Sequence, residues 1–296
     1  MKIKRAVSQT AFSVVGYIIT GVIGLLCLLP FLLVISASFT EESAIYTSGY
    51  RLIPAEFSVE AYRLLFRFPK EILNAYGVTL FITITGSLLG LFCISMAGYV
   101  LQRPDFKYRN VFSFYIYFTM LFNGGLVPTY MWYTKLGLKN TYWVLILPLM
   151  MSAYNVILMK NFMRSVPHEI TEAAKIDGAN DFYIFLRLIL PLAIPGLATI
   201  GLFLALAYWN DWFNAYLYVD KANMHPLQLL LYNKLATAEY YKTSSTFNIG
   251  SISLADLPSE SLKMATAVVA TGPIILLYPF VQKYFIKGLT VGAVKG

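Results

Sequence analysis

A succession of apolar runs constrains this chain most. Each is about as long as a helix that crosses a hydrocarbon core, which takes roughly 20 apolar residues. Six stretches qualify: 12–38, 76–101, 110–133, 141–162, 186–208 and 263–286. Charged residues make up only 13% of the chain, against about 25% in soluble domains. The expected fold is therefore an all-α membrane protein with six transmembrane helices. The whole chain, 1–296, reads as one transmembrane domain.

Several spans carry their own marks. Pro30 predicts a kink in the first, and the second is rich in Gly and Thr, which permit close helix contact. Pro191 and Pro195 break the fifth; Pro273 and Pro279 lie in the sixth. Neighbouring helices can satisfy the carbonyls that such prolines free. The first run follows Lys2, Lys4 and Arg5, is too long for a signal-peptide core, and reads as an uncleaved span.

The basic residues orient the spans. Lys2, Lys4 and Arg5 precede the first. Arg103, Lys107 and Arg109 lie between the second and third. Lys160, Arg164, Lys175 and Arg187 lie around the fourth-to-fifth connection, and Lys283, Lys287 and Lys295 follow the sixth. Six spans put all of these on one side, and they are more than half of the 23 Lys and Arg. That side is expected to be the cytoplasm, with both termini there. The outer loops are long. One, 40–75, predicts a short amphipathic helix near 58–73, with Val59, Tyr62, Leu65 and Phe66 at helical spacing. The other, 209–262, opens on the aromatic and polar run Trp209 to Asn214.

The net charge of +8 is explained by these loops and calls for no nucleic acid. Cys27 and Cys93 lie in apolar runs, and His168 and His225 have no partner at metal-ligand spacing. No catalytic residue and no metal site is expected. The G-x-x-x-x-G-K-[ST] phosphate loop does not occur, so ATP is not bound by that route.

One polar island, 165–182, stands between the fourth and fifth runs. Ser165 or His168 can open a helix, with Pro167 near its first turn. Glu169 and Glu172 suit the positive end of the helix dipole. Ala173 and Ala174 favour helix with little bulk, Gly178 suits a left-handed end, and Asn180 or Asp181 can cap the next helix. A helix–turn–helix on the cytoplasmic face is expected, small enough on one side for another surface to come close.

The segment Val166 to Ala179, with Glu172-Ala173-Ala174, Gly178 and then Leu188-Ile189-Leu190-Pro191, resembles the EAA coupling loop of ABC-importer permeases of the maltose and multiple-sugar class. Leu188 stands where the motif usually has Ile. Thr134 to Trp143 with Leu147-Pro148, Trp209-Asn210-Asp211, and Lys283 to Gly296 resemble other segments of that class. Together they resemble the permease similar to the maltose system's G subunit. Phe122 to Tyr130 resembles a subgroup associated with complex oligosaccharides.

The resemblance implies a type I ABC-importer fold and a permease that moves a carbohydrate across the bacterial cytoplasmic membrane by alternating access. It implies a second homologous permease, two cytoplasmic ATPase subunits that hold ATP and Mg, and an extracellular solute-binding protein. This chain would hold no cofactor and would not itself be an enzyme. Coupling to the ATPase would rest on Glu172, Ala173, Ala174, Asp177, Gly178 and Pro191. Candidates along the sugar path are Asn123, Tyr130, Trp209, Asn210, Asp211, Trp212 and Asn214. Tyr240, Tyr241, Phe247 and Asn248 are candidates for binding-protein contact, and the tail from Lys287 to Gly296 for reaching the ATPase. Two other readings stand: an importer of a non-carbohydrate solute, and an ion-coupled secondary transporter. The second fits poorly with span cores that hold essentially no Asp or Glu.

Overall fold

The computed structural model describes residues 7–244 and 260–275, with side chains over 12–240 and 260–275. The regular secondary structure among the described residues is helical, apart from an isolated bridge between Thr40 and Phe57. The chain divides into two compact units, one drawing on Met1–Phe68 and Asn233–Gly272, the other on Pro69–Tyr232 and Pro273–Gly296.

The first unit holds α1 (Val7–Ser38), α2 (Glu42–Ser48), α3 (Glu60–Leu65) and most of a helix over 260–275. From Phe12 to Ser38, α1 is apolar and long enough to cross a membrane, and it is almost wholly exposed as far as Leu32. A helix apolar all round needs a lipid or protein surround. The helix continues through Pro30. Its polar C-terminal end is tied down. Ser36 Oγ donates to the Arg51 carbonyl at 2.7 Å, and the Ser38 and Tyr62 hydroxyls lie 2.8 Å apart. Glu42 is buried, yet its carboxylate accepts from the backbone N–H groups of Glu260 and Ser261 and from Ser261 Oγ, all within 3.0 Å. A carboxylate so placed satisfies the orphan donors of the helix over 260–275 and complements its dipole. The amphipathic helix expected over 58–73 is shorter, Glu60–Leu65. Pro69 disfavours helical backbone at Phe68, so the chain turns there before the next helix begins.

The second unit is built around α4 (Pro69–Gln102), a second helix long enough to span. After it come α5 (Arg109–Leu121), α6 (Leu126–Lys135), α7 (Trp143–Met150), α8 (Ala153–Arg164), α9 (His168–Ile176), α10 (Asp181–Leu192), α11 (Ile194–Trp209) and α12 (Phe213–Tyr218). Helix α13 (Leu227–Ser244) follows a short 3₁₀ turn; it begins in this unit and from Asn233 onward belongs to the first.

Three expected spans are bent pairs. Helices α5 and α6 meet at 114°, α7 and α8 at 53°, and α10 and α11 at 85°. The causes are local. Asn123 Oδ1 accepts from Gly125 N at 2.9 Å, and Gly125 sits at φ +90°, closing a turn that stops α5. Met151 is extended, and Ser152 Oγ caps α8 by accepting from Asn155 N at 3.1 Å. Pro191 removes the N–H that would bond Arg187, and the turn Ile184–Ile189 winds as a π helix. Pro195 then opens α11 after the bend at Ala193. Counting each bent pair as one, the described residues hold up to five spans; the stretch read as the sixth, 263–286, is described only to residue 275.

Helix α4 packs against α7, α8 and α11. A Cβ on Gly86 would enter the Tyr208 ring, and one on Gly90 would lie 2.5 Å from the Met150 carbonyl oxygen. The close approach of α4 to its neighbours requires glycine at both places, as the small residues of that run predict. Tyr208 is fully buried and donates its hydroxyl to the Ile146 carbonyl at 2.6 Å.

Candidate functional site

The polar island folds as α9, and its C-terminus is closed by a Schellman motif. Gly178 N donates to the Lys175 carbonyl at 3.0 Å, and Ala179 N to the Ala174 carbonyl at 2.9 Å. Gly178 sits at φ +80°, the left-handed geometry this closure needs. Ala174 and Ala179 pack against the core beneath. Pro167 precedes the first turn without a side-chain cap. Asn180 Oδ1 accepts from Tyr183 N at 2.8 Å and starts α10.

One face of α9 is turned in and one out. Thr171 is buried and Ala174 half-buried, whereas Glu169, Glu172, Ala173 and Ile176 are exposed at helical spacing. Ile176 is 87% exposed. His168 Nδ1 lies 3.0 Å from Glu172 Oε1, one turn away. Glu172 and Ala173 thus share the open surface with an apolar knob, while Asp177 and Gly178 form the exposed end and Pro191 stands in the next helix.

Behind α9 lies an ion-pair network that sequence reading did not find. Arg103 Nε donates to Asp105 Oδ1 at 2.9 Å, and Arg103 Nη2 reaches Asp105 Oδ2. Arg103 Nη1 meets Asp181 Oδ1 at 2.7 Å, and Lys175 Nζ donates to Asp105 Oδ2 at 2.8 Å. The Arg103 guanidinium also lies over the Tyr99 ring, 5.6 Å from its centroid. Four charges therefore join the end of α4, the connection after it, the back of α9 and the start of α10. The Asp105 carboxyl is held well below the usual carboxylate range, chiefly by the Arg103 bond and next by Lys175. Arg103 in turn is raised, mainly by Asp105. Its side chain is only 14% exposed, so this network is less screened than a fully exposed pair.

The sugar-path candidates fall into three places. Asn123 closes the α5–α6 turn. Tyr130 stacks on Tyr218, centroids 5.5 Å apart. The others surround the end of α11. Trp209 is 4% exposed and leans on Tyr76, so its ring offers no free face in this conformation. Asn210 is exposed and bonds back to the Leu206 carbonyl at 2.9 Å. Asp211 accepts from Asn214 N at 3.2 Å and from its side-chain amide at 3.0 Å, so both are engaged in opening α12. Burial pushes the Asp211 carboxyl up, against those two bonds. Trp212 stacks on Tyr232 at 4.5 Å. Nearby, Asn140 takes φ +59° and bonds Asp220, tying the α6–α7 connection to the end of α12.

Tyr240 is exposed on α13. The side chain of Tyr241, and Phe247 and Asn248 altogether, lie outside the described residues, as does the tail from Lys287 to Gly296. Among the described residues no group of His, Cys, Asp and Glu is placed to hold a metal ion.

Residues 86–291 match the family model described as the binding-protein-dependent transport system inner membrane component. The chain belongs to that family. It is 41% identical to the polygalacturonan/rhamnogalacturonan transport system permease protein YtcP of Bacillus subtilis, over 92% of this chain and 94% of that one. It is 38% identical to protein LplC of the same organism, over 96% and 95% of the two chains. Among solved structures, it is similar to a chain of a bacterial ABC transporter involved in the import of the acidic polysaccharide alginate. That match has a TM-score of 0.76 and 31% identity, and covers 96% of this chain and 100% of that one. The chain is therefore a membrane permease component with an all-helical ABC-transporter fold. Ile176 and the Arg103–Asp105–Lys175–Asp181 network are features of this segment that the sequence alone did not single out. The signal for Ile176 was available, since it lies four residues beyond Glu172. The network was not legible, since Asp105 and Lys175 are 70 residues apart.

Proposed function

We propose that this chain is one of two homologous permeases in an ATP-driven importer of an oligosaccharide, with six spans and both termini in the cytoplasm. Helix α9 is the coupling helix, and its outer face docks on a separate ATPase that holds ATP and Mg. The observation that carries this reading is that face: a carboxylate, a small alanine and the exposed Ile176 on a helix fixed from behind by four charges. A large apolar side chain so exposed fits a surface awaiting a partner.

The mechanism follows from the connections. Closure of the ATPase pair displaces α9. The Arg103–Asp105–Lys175–Asp181 network passes that displacement to the end of α4 and the start of α10. Helix α4 meets α7, α8 and α11 at glycine contacts that leave little slack, so these helices move as a body. The bends at Ala193, Met151 and Phe122–Gly125 are where the bundle changes direction and where access can alternate. A solute-binding protein delivers the cargo toward Asn123, Tyr130, Trp212 and Asn214, and Tyr240, Tyr241, Phe247 and Asn248 are the residues to test for contact with it. Coordinated aromatic faces and amide groups suit a sugar's C–H face and hydroxyl rim.

The cargo class rests on the relatives, whose names include polygalacturonan, rhamnogalacturonan and alginate. A galacturonate oligosaccharide is the first to try. The test is uptake of that labelled oligosaccharide into proteoliposomes holding the two permeases and the ATPase. Uptake that needs both ATP inside and the binding protein outside is expected. Uptake driven by an ion gradient without ATP would overturn the reading.

A further inference from the structure

Two groups of basic side chains stand near α9, and they differ in how they are neutralised. Arg103 and Lys175 have Asp105 and Asp181 beside them. Arg109, Lys160 and Arg164 form no ion pair with any described residue. These three line one cleft of about 650 Å³ together with Asn110, Ser165 and Glu169. Glu169 is the one carboxylate in the lining, so the cleft is left about two positive charges in excess.

Lys160 is the most informative of the three. It lies one turn before the end of α8, half-buried where α8 packs on α5, and its ammonium donates to Ser113 Oγ at 2.9 Å. A half-buried ammonium whose bonded partner is a neutral hydroxyl lacks a counter-charge. An ionisable group at such a place in a membrane protein points to a ligand or a pathway. The cleft is of the size that small-molecule groups occupy.

We propose that this cleft binds the phosphate of an anionic phospholipid headgroup. Arg109 and Arg164 supply fork-shaped donors that match phosphate oxygens, and Lys160 supplies a point charge deeper in. Asn110 and Ser165 supply neutral donors for the remaining headgroup oxygens. A lipid fits better than a soluble anion because of α5. Arg109 opens that helix, and no α5 residue is buried: Val111, Phe112, Phe114 and Tyr115 are all exposed. Apolar surface for an acyl chain begins where the cations end. Basic pockets between spans are a known setting for anionic headgroups.

The test is native mass spectrometry on the full chain, purified and offered phosphatidylglycerol, phosphatidylcholine or inorganic phosphate. Retention of phosphatidylglycerol in preference to phosphatidylcholine is expected. The doubly substituted Arg109→Gln, Arg164→Gln chain should hold it roughly 30-fold more weakly, from two cations near the headgroup. Lys175→Gln, outside the cleft, should hold it as the unaltered chain does. The two exchanged residues form no ion pair with a described residue, so the variant should elute as the unaltered chain does. Lys160→Gln gives an independent second variant with the same expected direction. Equal retention by the unaltered and doubly substituted chains would overturn the proposal. So would binding of inorganic phosphate without preference between the two lipids, which would make the ligand a soluble anion. Loss of ATPase co-purification in the variant with lipid retention unchanged would assign the cleft to a protein partner, and would also overturn it.

Discussion

Asp105 accepts from Arg103 and Lys175 at once, and that fixes how it responds to pH and to substitution. Its carboxyl is depressed in the folded chain. A depressed carboxylate contributes stability above its unfolded pKa, near about 4, and loses it as pH falls through the folded value. The network is therefore at full strength from roughly pH 5 to 8, and uptake should show no inflexion from this group in that range. A pH–uptake profile with Asp105→Glu as the conservative comparison checks this. Asp105→Asn breaks both charge pairs; we expect less sugar moved per ATP hydrolysed, measured by running uptake and hydrolysis on the same proteoliposomes. Gly178 makes a separate prediction. A Cβ there meets nothing within 4 Å, so any cost comes from the backbone at φ +80°. That cost is about 1–2 kcal/mol for most residues and less for Asn. Uptake should fall in the order Gly, Asn, Ala, while the complex still assembles.

Among the helices, the glycine contacts of α4 carry the sharpest expectation. Gly86→Leu drives a side chain into the buried Tyr208 ring, and Gly90→Leu into the Met150 carbonyl. Overpacking of this kind costs about 1–3 kcal/mol or more, so both should lower the thermal midpoint of the purified chain in a fluorescence-detected unfolding assay. Gly201→Ala, whose nearest neighbour is a Leu91 methyl at 3.6 Å, should not. The apolar runs placed the helices because burial in lipid needs length and composition, which are written locally. The small residues of 76–101 marked α4 as a packing helix for the same reason. Two of the three bends were not legible. Asn123-Gly124-Gly125 and Met151-Ser152 interrupt runs that stay apolar on both sides, and one Asx turn or one serine cap suffices to break a helix there. Pro191 and Pro195 did announce the third. The helix expected over 58–73 was overlong because the helical spacing of Leu65 and Phe66 continues past the point where Pro69 forbids it.

For the whole molecule, the EAA island was readable because its caps, its alanines and Gly178 lie within one short segment. What fixes it from behind was not, because Arg103, Asp105, Lys175 and Asp181 come together only through folding. The sugar-path candidates separate in the same way. Trp209 is enclosed and Asp211 is engaged by Asn214, whereas Trp212 and Tyr130 stand in stacked aromatic pairs. Trp212→Ala should therefore raise the sugar concentration needed for half-maximal uptake several-fold with little effect on hydrolysis without cargo, measured across a sugar titration. The central claim is that the outer face of α9 is gripped by a separate ATPase. A photoreactive amino acid placed at Ile176 in the assembled transporter, irradiated and analysed by mass spectrometry, tests it most directly. A covalent adduct to the ATPase, changing in yield with ATP, is the predicted result; an irradiated complex with no ATPase adduct at that position would contradict it.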